Sequence, residues 1–218
     1  QAFVDIGNPV PSFPYATWAT AATNIQDAID AVEVGGTVFV SNGVYQTGGR
    51  VVDGAMTNRV VLDRAITVQS MNGPEVTEIR GNGPIGDAAV RCVWMADGSK
   101  LIGFAITNGA TRAAGDFSTE RRGGGLWAQS ASAIVSNCVV VDNSAHSIGG
   151  GVYLGTLHQC RLSGNDAGYS GGGSYNSVLH DCTLADNEAD NYGGGAHRGT
   201  LRNCLLARNR CGTQGGGA

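Results

Sequence analysis

The chain has 218 residues, only 15% of them charged, a formal net charge of -4, and a single lysine, Lys100, among its basic residues. That balance excludes the broad basic face that nucleic acid requires, and no apolar run reaches the roughly 18 residues of a membrane-spanning helix. Glycine is the outlier, at 35 residues against 5 prolines, and such an excess signals either a flexible linker or a demanding backbone geometry.

The chain opens at Gln1, with no initiator Met and no leftover apolar leader. The expectation is a mature exported protein, secreted or at the cell surface, or an excised fragment. The first recognisable element is TNIQDAIDAVE, which places Ile25, Ile29 and Val32 on one helical face with Thr23 or Asn24 as N-cap. With the strand before it, this predicted amphipathic helix makes an N-terminal section, residues 1–36, that plugs the first coil.

Residues 37–122 read as short strands separated by insertions. One strand column contains TVFV (37–40), ITVQS (66–70) and FAIT (104–107), then the four Cys strands; a second contains RVVL (59–62), CVWM (92–95) and GLWA (125–128), then the strands around Tyr153, Tyr175 and His197. Three insertions, 46–58, 81–90 and 109–122, precede successive members of the second column and so project from one side.

Residues 123–218 are regular. Glycine triplets begin at Gly123 and then at Gly149, Gly171, Gly193 and Gly215, the last four 22 residues apart. The same register carries Cys138, Cys160, Cys182 and Cys204, then Val140, Leu162, Leu184 and Leu206, then Asn143, Asn165, Asn187 and Asn209. Ladders in fixed phase are the signature of a solenoid, not of a linker. The motif L-x-x-C-x-L-x-x-N also satisfies the leucine-rich-repeat consensus, but a helical return through three consecutive glycines costs about 2–3 kcal/mol of helix propensity. The return is therefore extended, which favours a parallel β-helix whose equivalent strands stack about 4.8 Å apart. Alternation along the strand turns Cys160 and Leu162 inward, the glycines turn the chain, and the Asn is expected at a left-handed bend, its amide bonding up the column.

Stacked cysteines hold their Cβ atoms near the strand spacing, beyond the mean of about 3.8 Å for a disulfide, so buried thiols are expected. Cys211 takes the register of Ala189, and Cys92 that of Gly125, as small interior residues.

With these residues in place, the sequence resembles the pectin-lyase-like superfamily of right-handed parallel β-helices. The segment WATAATNIQDAIDAVEVGGTVFVSNGVYQ (18–46) is similar to the amphipathic cap and first coil of many secreted bacterial members, and LIGFAITNG (101–109) comes after it. The Gly-Gly-Gly-Val and Leu-x-x-Asn repeats look like the GGA(I/L/V) and FxxN motifs of polymorphic outer-membrane proteins, with Val140, Leu162, Leu184 and Leu206 in place of Phe. The resemblance implies an all-β, right-handed, single-stranded parallel β-helix of about seven coils with an N-terminal amphipathic capping helix. It leaves function open among polysaccharide lyases, hydrolases, esterases, adhesins and phage tailspikes.

A pectate-lyase-like enzyme is expected to show Ca²⁺-binding carboxylates in register, whereas Asp181 is flanked by Gln159 and Asn203, and Asp186 by Gly164 and Arg208. No cofactor or metal is implied. His158 and His180 share a register as an outward pair. The candidate site is the groove of the three insertions, where Asp53, Asp87 and Glu120 alternate with Arg59, Arg91, Arg121 and Arg122 around Trp94 and Trp127. Such a set stacks sugar rings and binds carboxylates; alternatively the same residues pin the loops to the solenoid. The column Trp127, Tyr153, Tyr175 and His197 either binds carbohydrate or stabilises the face.

The chain stops at Gly215, Gly216, Gly217 and Ala218, where a further strand column begins. The expectation is either a longer array or an edge that docks on another subunit. Two functions stay open: an extracellular structural and adhesive protein that self-associates end to end, or a polysaccharide-active enzyme or carbohydrate-binding protein.

Overall fold

The computed structural model describes residues 1–213 and 215–218. It is a right-handed parallel β-helix built from three sheets of 13, 7 and 4 strands. Among the described residues the strand pairs are parallel, except for the hairpin of Arg50–Val51 against Thr57–Leu62 in the first insertion and an antiparallel bridge between Asn82 and Val90 in the second. One lap of the regular region runs through Val152–Tyr153, Thr156–His158, Arg161–Ser163 and Asp166–Ala167 before the next glycine triplet. The first two of these belong to the large sheet, the third to the seven-stranded sheet and the fourth to the four-stranded one.

The period of 22 becomes one rung of height. Val140 pairs with Leu162, Leu162 with Leu184, and Leu184 with Leu206. Val140, Leu162 and Leu184 are fully buried, so each lap adds one aliphatic layer to a continuous core. Cys138, Cys160 and Cys182 are buried beside them, Cys204 is half-buried, and all six cysteines are free thiols. The Cys160 thiol donates to the carbonyl of His158 at 3.3 Å. Burial pushes the Cys92 thiol up to about 12 and the Cys138 thiol up to about 11.

The Asn ladder runs inside the coil, and this shifts the expected bend. The left-handed residues are Asp142, Gly164, Asp186 and Arg208, each one position before the Asn. A bend residue points its side chain to solvent, so its identity varies. Asn143, Asn165 and Asn187 beyond the bends are buried, and Asn209 half-buried, because the amide is needed within: the Asn165 Nδ2 donates to the Val140 carbonyl and to Asn187 Oδ1, both at 2.9 Å. In turn Asn165 Oδ1 accepts from Asn143 Nδ2 at 3.0 Å and from the Asn143 backbone N–H at 3.2 Å. Asn209 closes the series, accepting from Asn187 Nδ2 at 2.9 Å.

The glycines of a triplet serve different ends. In 149–151 only Gly149 is left-handed, with φ of 68°. A Cβ on Gly150 would meet the Asp166 carbonyl oxygen at 2.2 Å, and one on Gly151 would meet the Gly173 carbonyl at 2.6 Å. The first glycine turns the chain; the other two let backbone approach backbone.

One strand assignment differs from expectation. Residues 104–107 and the four Cys strands do not stack on 37–40 and 66–70: Ala105–Thr107 pairs with Thr77–Arg80 and Val139–Val141 in the seven-stranded sheet, which continues through Arg161–Ser163, Thr183–Ala185 and Leu205–Ala207. Thr67–Ser70 continues instead to Lys100–Ile102, and that strand to Ile134–Ser136. Gly103, at φ of 79°, turns a corner inside LIGFAIT just as Asn137 does one lap later.

The N-terminal helix is Ile25–Asp30, capped by the Asn24 side chain, which accepts from the Asp27 N–H. It buries Ile25, Ala28 and Ile29 in the same core as Val4, Val38 and Val40. Among the described residues no helix is long and apolar enough to cross a membrane. At the other end, Gly216 and Gly217 accept from the N–H groups of Gly195 and Ala196 at 2.9 and 3.0 Å, while Gly215 and Ala218 are exposed.

Candidate functional site

The three insertions meet around Glu120, which is only 5% exposed. Its carboxylate accepts from the backbone N–H of Ala55 in the first insertion and of Asp116 in its own, each at 2.7 Å, and from Arg112 at 2.8 Å. Arg112 reaches on to Asp87 of the second insertion at 2.8 Å. One carboxylate and one guanidinium thus tie all three loops together. The backbone N–H groups of Asp116 and Ala55, with Arg112, hold the Glu120 carboxyl below the usual glutamate range.

Arg91 is the second anchor. It is 1% exposed and donates to the carbonyls of Gly123, Thr119 and Arg122 and to Asn58 Oδ1, at 2.6 to 2.8 Å. Burial pulls its guanidinium down to about 9, still protonated at neutral pH, and its fork of donors is spent on holding the base of loop 109–122. Arg59 donates to the carbonyls of Arg80 and Gly48. Arg121 donates to His146 Nδ1. Asp53 is exposed and forms none of the hydrogen bonds that join the loops. Of the nine groove candidates, Arg91 and Glu120 therefore act as loop anchors, Asp87 joins them through Arg112, and Arg59 and Arg121 bond elsewhere.

The tryptophans stand on the adjoining outer face of the large sheet. Val61, Trp94 and Trp127 occupy successive rungs. Trp94 is sealed by Val61, Ala96 and Trp127. Upward, Trp94, Trp127, Tyr153, Tyr175 and His197 stack ring on ring, with centroids 5.6 to 6.0 Å apart and interplanar angles of 11 to 25°. Alternation in the pleat turns all five the same way, and the strand spacing sets the stack. Trp127 Nε1 donates to the Ser118 carbonyl at 3.0 Å, so loop 109–122 leans on the lower stack. Above it the stack is open at the edges, since Tyr153, Tyr175 and His197 are half-buried.

Two arginines border this open part. Arg122 donates to Tyr153 Oη at 2.7 Å and lies over the rings of Phe117 and Tyr153, at 4.3 and 5.1 Å. Arg198, exposed, lies 6.0 Å over the Tyr175 ring. Neither shares an ion pair among the described residues. Tyr192 packs 5.6 Å from His197 and Tyr169 packs 6.0 Å from Tyr192, and both tyrosines, with Phe117, are exposed: 36%, 51% and 45%. Burial, and then Arg198, hold the His197 imidazole below its ordinary value, leaving an uncharged flat ring at neutral pH.

Arg112, Arg198, Phe117, Tyr169 and Tyr192 are absent from the sequence-derived set. Tyr169 and Tyr192 lie within two residues of a glycine triplet, a phase that brings them beside the stack, and Arg198 immediately follows its last ring. On the neighbouring strand column, His158 and His180 stack at 5.0 Å, in register with Ser136 below and Arg202 above.

The chain is similar to the solved structures of pectin methylesterase PemA from Erwinia chrysanthemi and of a pectin methylesterase in complex with hexasaccharide VII. Each matches at a TM-score of 0.58, with 12% and 13% identity respectively, over 96% of this chain and 66% of the other. The chain thus spans just under two thirds of the length of those structures. No family model and no curated protein matches the sequence. The likeness is one of fold, the right-handed parallel β-helix.

Proposed function

We propose that the protein is an extracellular or cell-surface β-helix module that binds acidic polysaccharide along the face of Tyr153, Tyr175 and His197. The observation that carries this reading is the pair of arginines, Arg122 and Arg198, set over that aromatic stack with no carboxylate partner among the described residues. A guanidinium in that setting pairs with a uronate carboxylate, and neighbouring exposed rings offer apolar area to a sugar. From Trp127 to His197 the stack climbs three rungs, about 14 Å, a height suited to a short run of sugar residues. The fold shared with pectin methylesterases, one of them bound to a hexasaccharide, supports the same substrate class.

Binding is favoured over turnover because the two carboxylates of the loop that carries Arg122, Asp116 and Glu120, are committed. A general acid or base must exchange its proton near the working pH. Glu120 is held low by its backbone donors and Arg112. Asp116 is held low by the side chain and N–H of Thr119 and the N–H of Ser118. Anchoring to a polysaccharide matrix is the adhesive role that fits such a face.

Electrophoresis through gels containing polygalacturonate tests this. The wild-type protein is retarded, less so as salt rises, and the Arg122→Ala, Arg198→Ala double variant runs free. Methyl-esterified pectin is incubated in parallel and assayed for methanol, reducing ends and unsaturated products. Product above the blank transfers the reading to catalysis, and an unretarded wild-type protein refutes the binding face.

A further inference from the structure

A second recess lies at the opposite end of the solenoid. Asp5, Trp18, Ser41, Asn42, Met71 and Asn72 line an open groove of about 470 Å³, within the size range of small-molecule sites. It follows the corner at which two adjacent strands of the large sheet, Thr37–Val40 and Thr67–Ser70, give way to the turns beyond them. Asn42 and Asn72 come from successive coils, and Trp18 comes from the 3-10 turn Trp18–Thr20.

The lining is chemically distinct from the arginine-bordered face. Trp18 packs against Phe3 at 4.7 Å with the planes tilted by 57°, yet stays 41% exposed, so the indole is held in place while much of its surface faces the groove and solvent. Asn72 Nδ2 donates to Asn42 Oδ1 at 2.8 Å. Whichever way the two amides are oriented, their mutual bond leaves one amide NH₂ and one amide carbonyl unused. One oxygen of Asp5 accepts from the Gly7 N–H and from Ser41 Oγ, at 3.0 and 3.3 Å, and the other is free. The groove therefore offers a donor, two acceptors and an aromatic surface, with no cation among its lining residues.

We propose that this recess is a second carbohydrate site, selective for neutral sugars. Adjacent hydroxyls of a pyranose both donate and accept, which matches a carboxylate oxygen beside an amide NH₂, and the apolar face of the ring packs on an indole. A uronate would meet the Asp5 charge with nothing to offset it. The proposal does not depend on the acidic-polysaccharide face, whose residues lie coils away.

Calorimetric titration with galactan, glucan and mannan tetrasaccharides, with tetragalacturonate as the charged control, provides the test, and tryptophan emission is followed in the same samples. At least one neutral tetrasaccharide binds and shifts the emission. Trp18→Ala and Asn72→Ala each weaken that binding by about tenfold or more. Trp18→Phe abolishes the emission change while keeping part of the affinity, and the Arg122→Ala, Arg198→Ala variant binds as the wild type does. Binding by none of the three at millimolar concentration overturns the proposal. So does binding that survives both Trp18→Ala and Asn72→Ala, or binding of tetragalacturonate alone.

Discussion

Replacing Gly150 by alanine tests how tightly one lap closes on the next. The added Cβ would lie 2.2 Å from the Asp166 carbonyl oxygen, 2.5 Å from its carbon and 2.6 Å from the Gly172 oxygen. Ordinary contact begins at 3.4 Å, so the Asp166 carbonyl must retreat by 1.2 Å. That backbone is not free to move, because the Asp166 N–H is bonded to the Asn143 carbonyl at 2.9 Å. Overpacking of this kind costs about 3 kcal/mol or more when the obstacle is backbone, which lowers Tm by roughly 6–12 °C in a chain of this size. Gly73→Ala is the control. Gly73 is left-handed, with φ of 87°, but nothing lies within 4 Å of its Cβ position. Only the conformational cost of about 1 kcal/mol remains, or roughly 2–4 °C. Thermal and urea unfolding followed by circular dichroism measure both. Equal losses in the two variants, or an unaffected Gly150→Ala protein, would refute the close approach as the reason for the triplet.

Asn165→Ala strips the acceptor from two N–H donors of Asn143 and the donor from the Val140 carbonyl and from Asn187 Oδ1. At about 1–3 kcal/mol for each buried group left unpaired, the urea midpoint falls far more than for alanine at the exposed bend residue Asp186. Glu120→Gln loosens the three insertions in a pH-dependent way. The Glu120 carboxyl is depressed in the folded state, so its stabilisation is complete above the unfolded value of about 4.3 and vanishes as pH falls through the lower folded value. The Tm difference between wild type and variant is therefore largest near neutrality and closes in acid; a difference that persists unchanged at low pH contradicts the lock.

The architecture was legible because a solenoid writes its geometry into the sequence as a period. Cys138 to Cys204 and Asn143 to Asn209 announce both the rung and the inward face, and the phase of Trp94, Trp127 and Tyr153 announces the outward stack. Corners were less legible. A left-handed residue such as Asp142 or Arg208 is selected for tolerance of a bend, while the recurring Asn beside it is selected for its amide, so repetition pointed to the neighbour of the true bend. Gly103 hid in the same way inside an apolar run. The loop residues are visible in the sequence as positions, but their partners depend on how three loops close on one another. Arg91 ends on carbonyl oxygens that could not be foreseen, and Arg112, the cation that completes the Glu120 lock, sits in a loop of no fixed period. Arg198 and Tyr192 gain their importance only when the coil brings them beside rings 22 residues apart.

The binding face itself is tested most directly by nuclear magnetic resonance of isotopically labelled protein titrated with a galacturonate oligosaccharide. Shifts centred on the side chains of Tyr175, His197, Arg122 and Arg198 are expected, with His158 and His180 on the adjacent column unmoved. Shifts centred on those two histidines, or none at saturating ligand, would contradict the face.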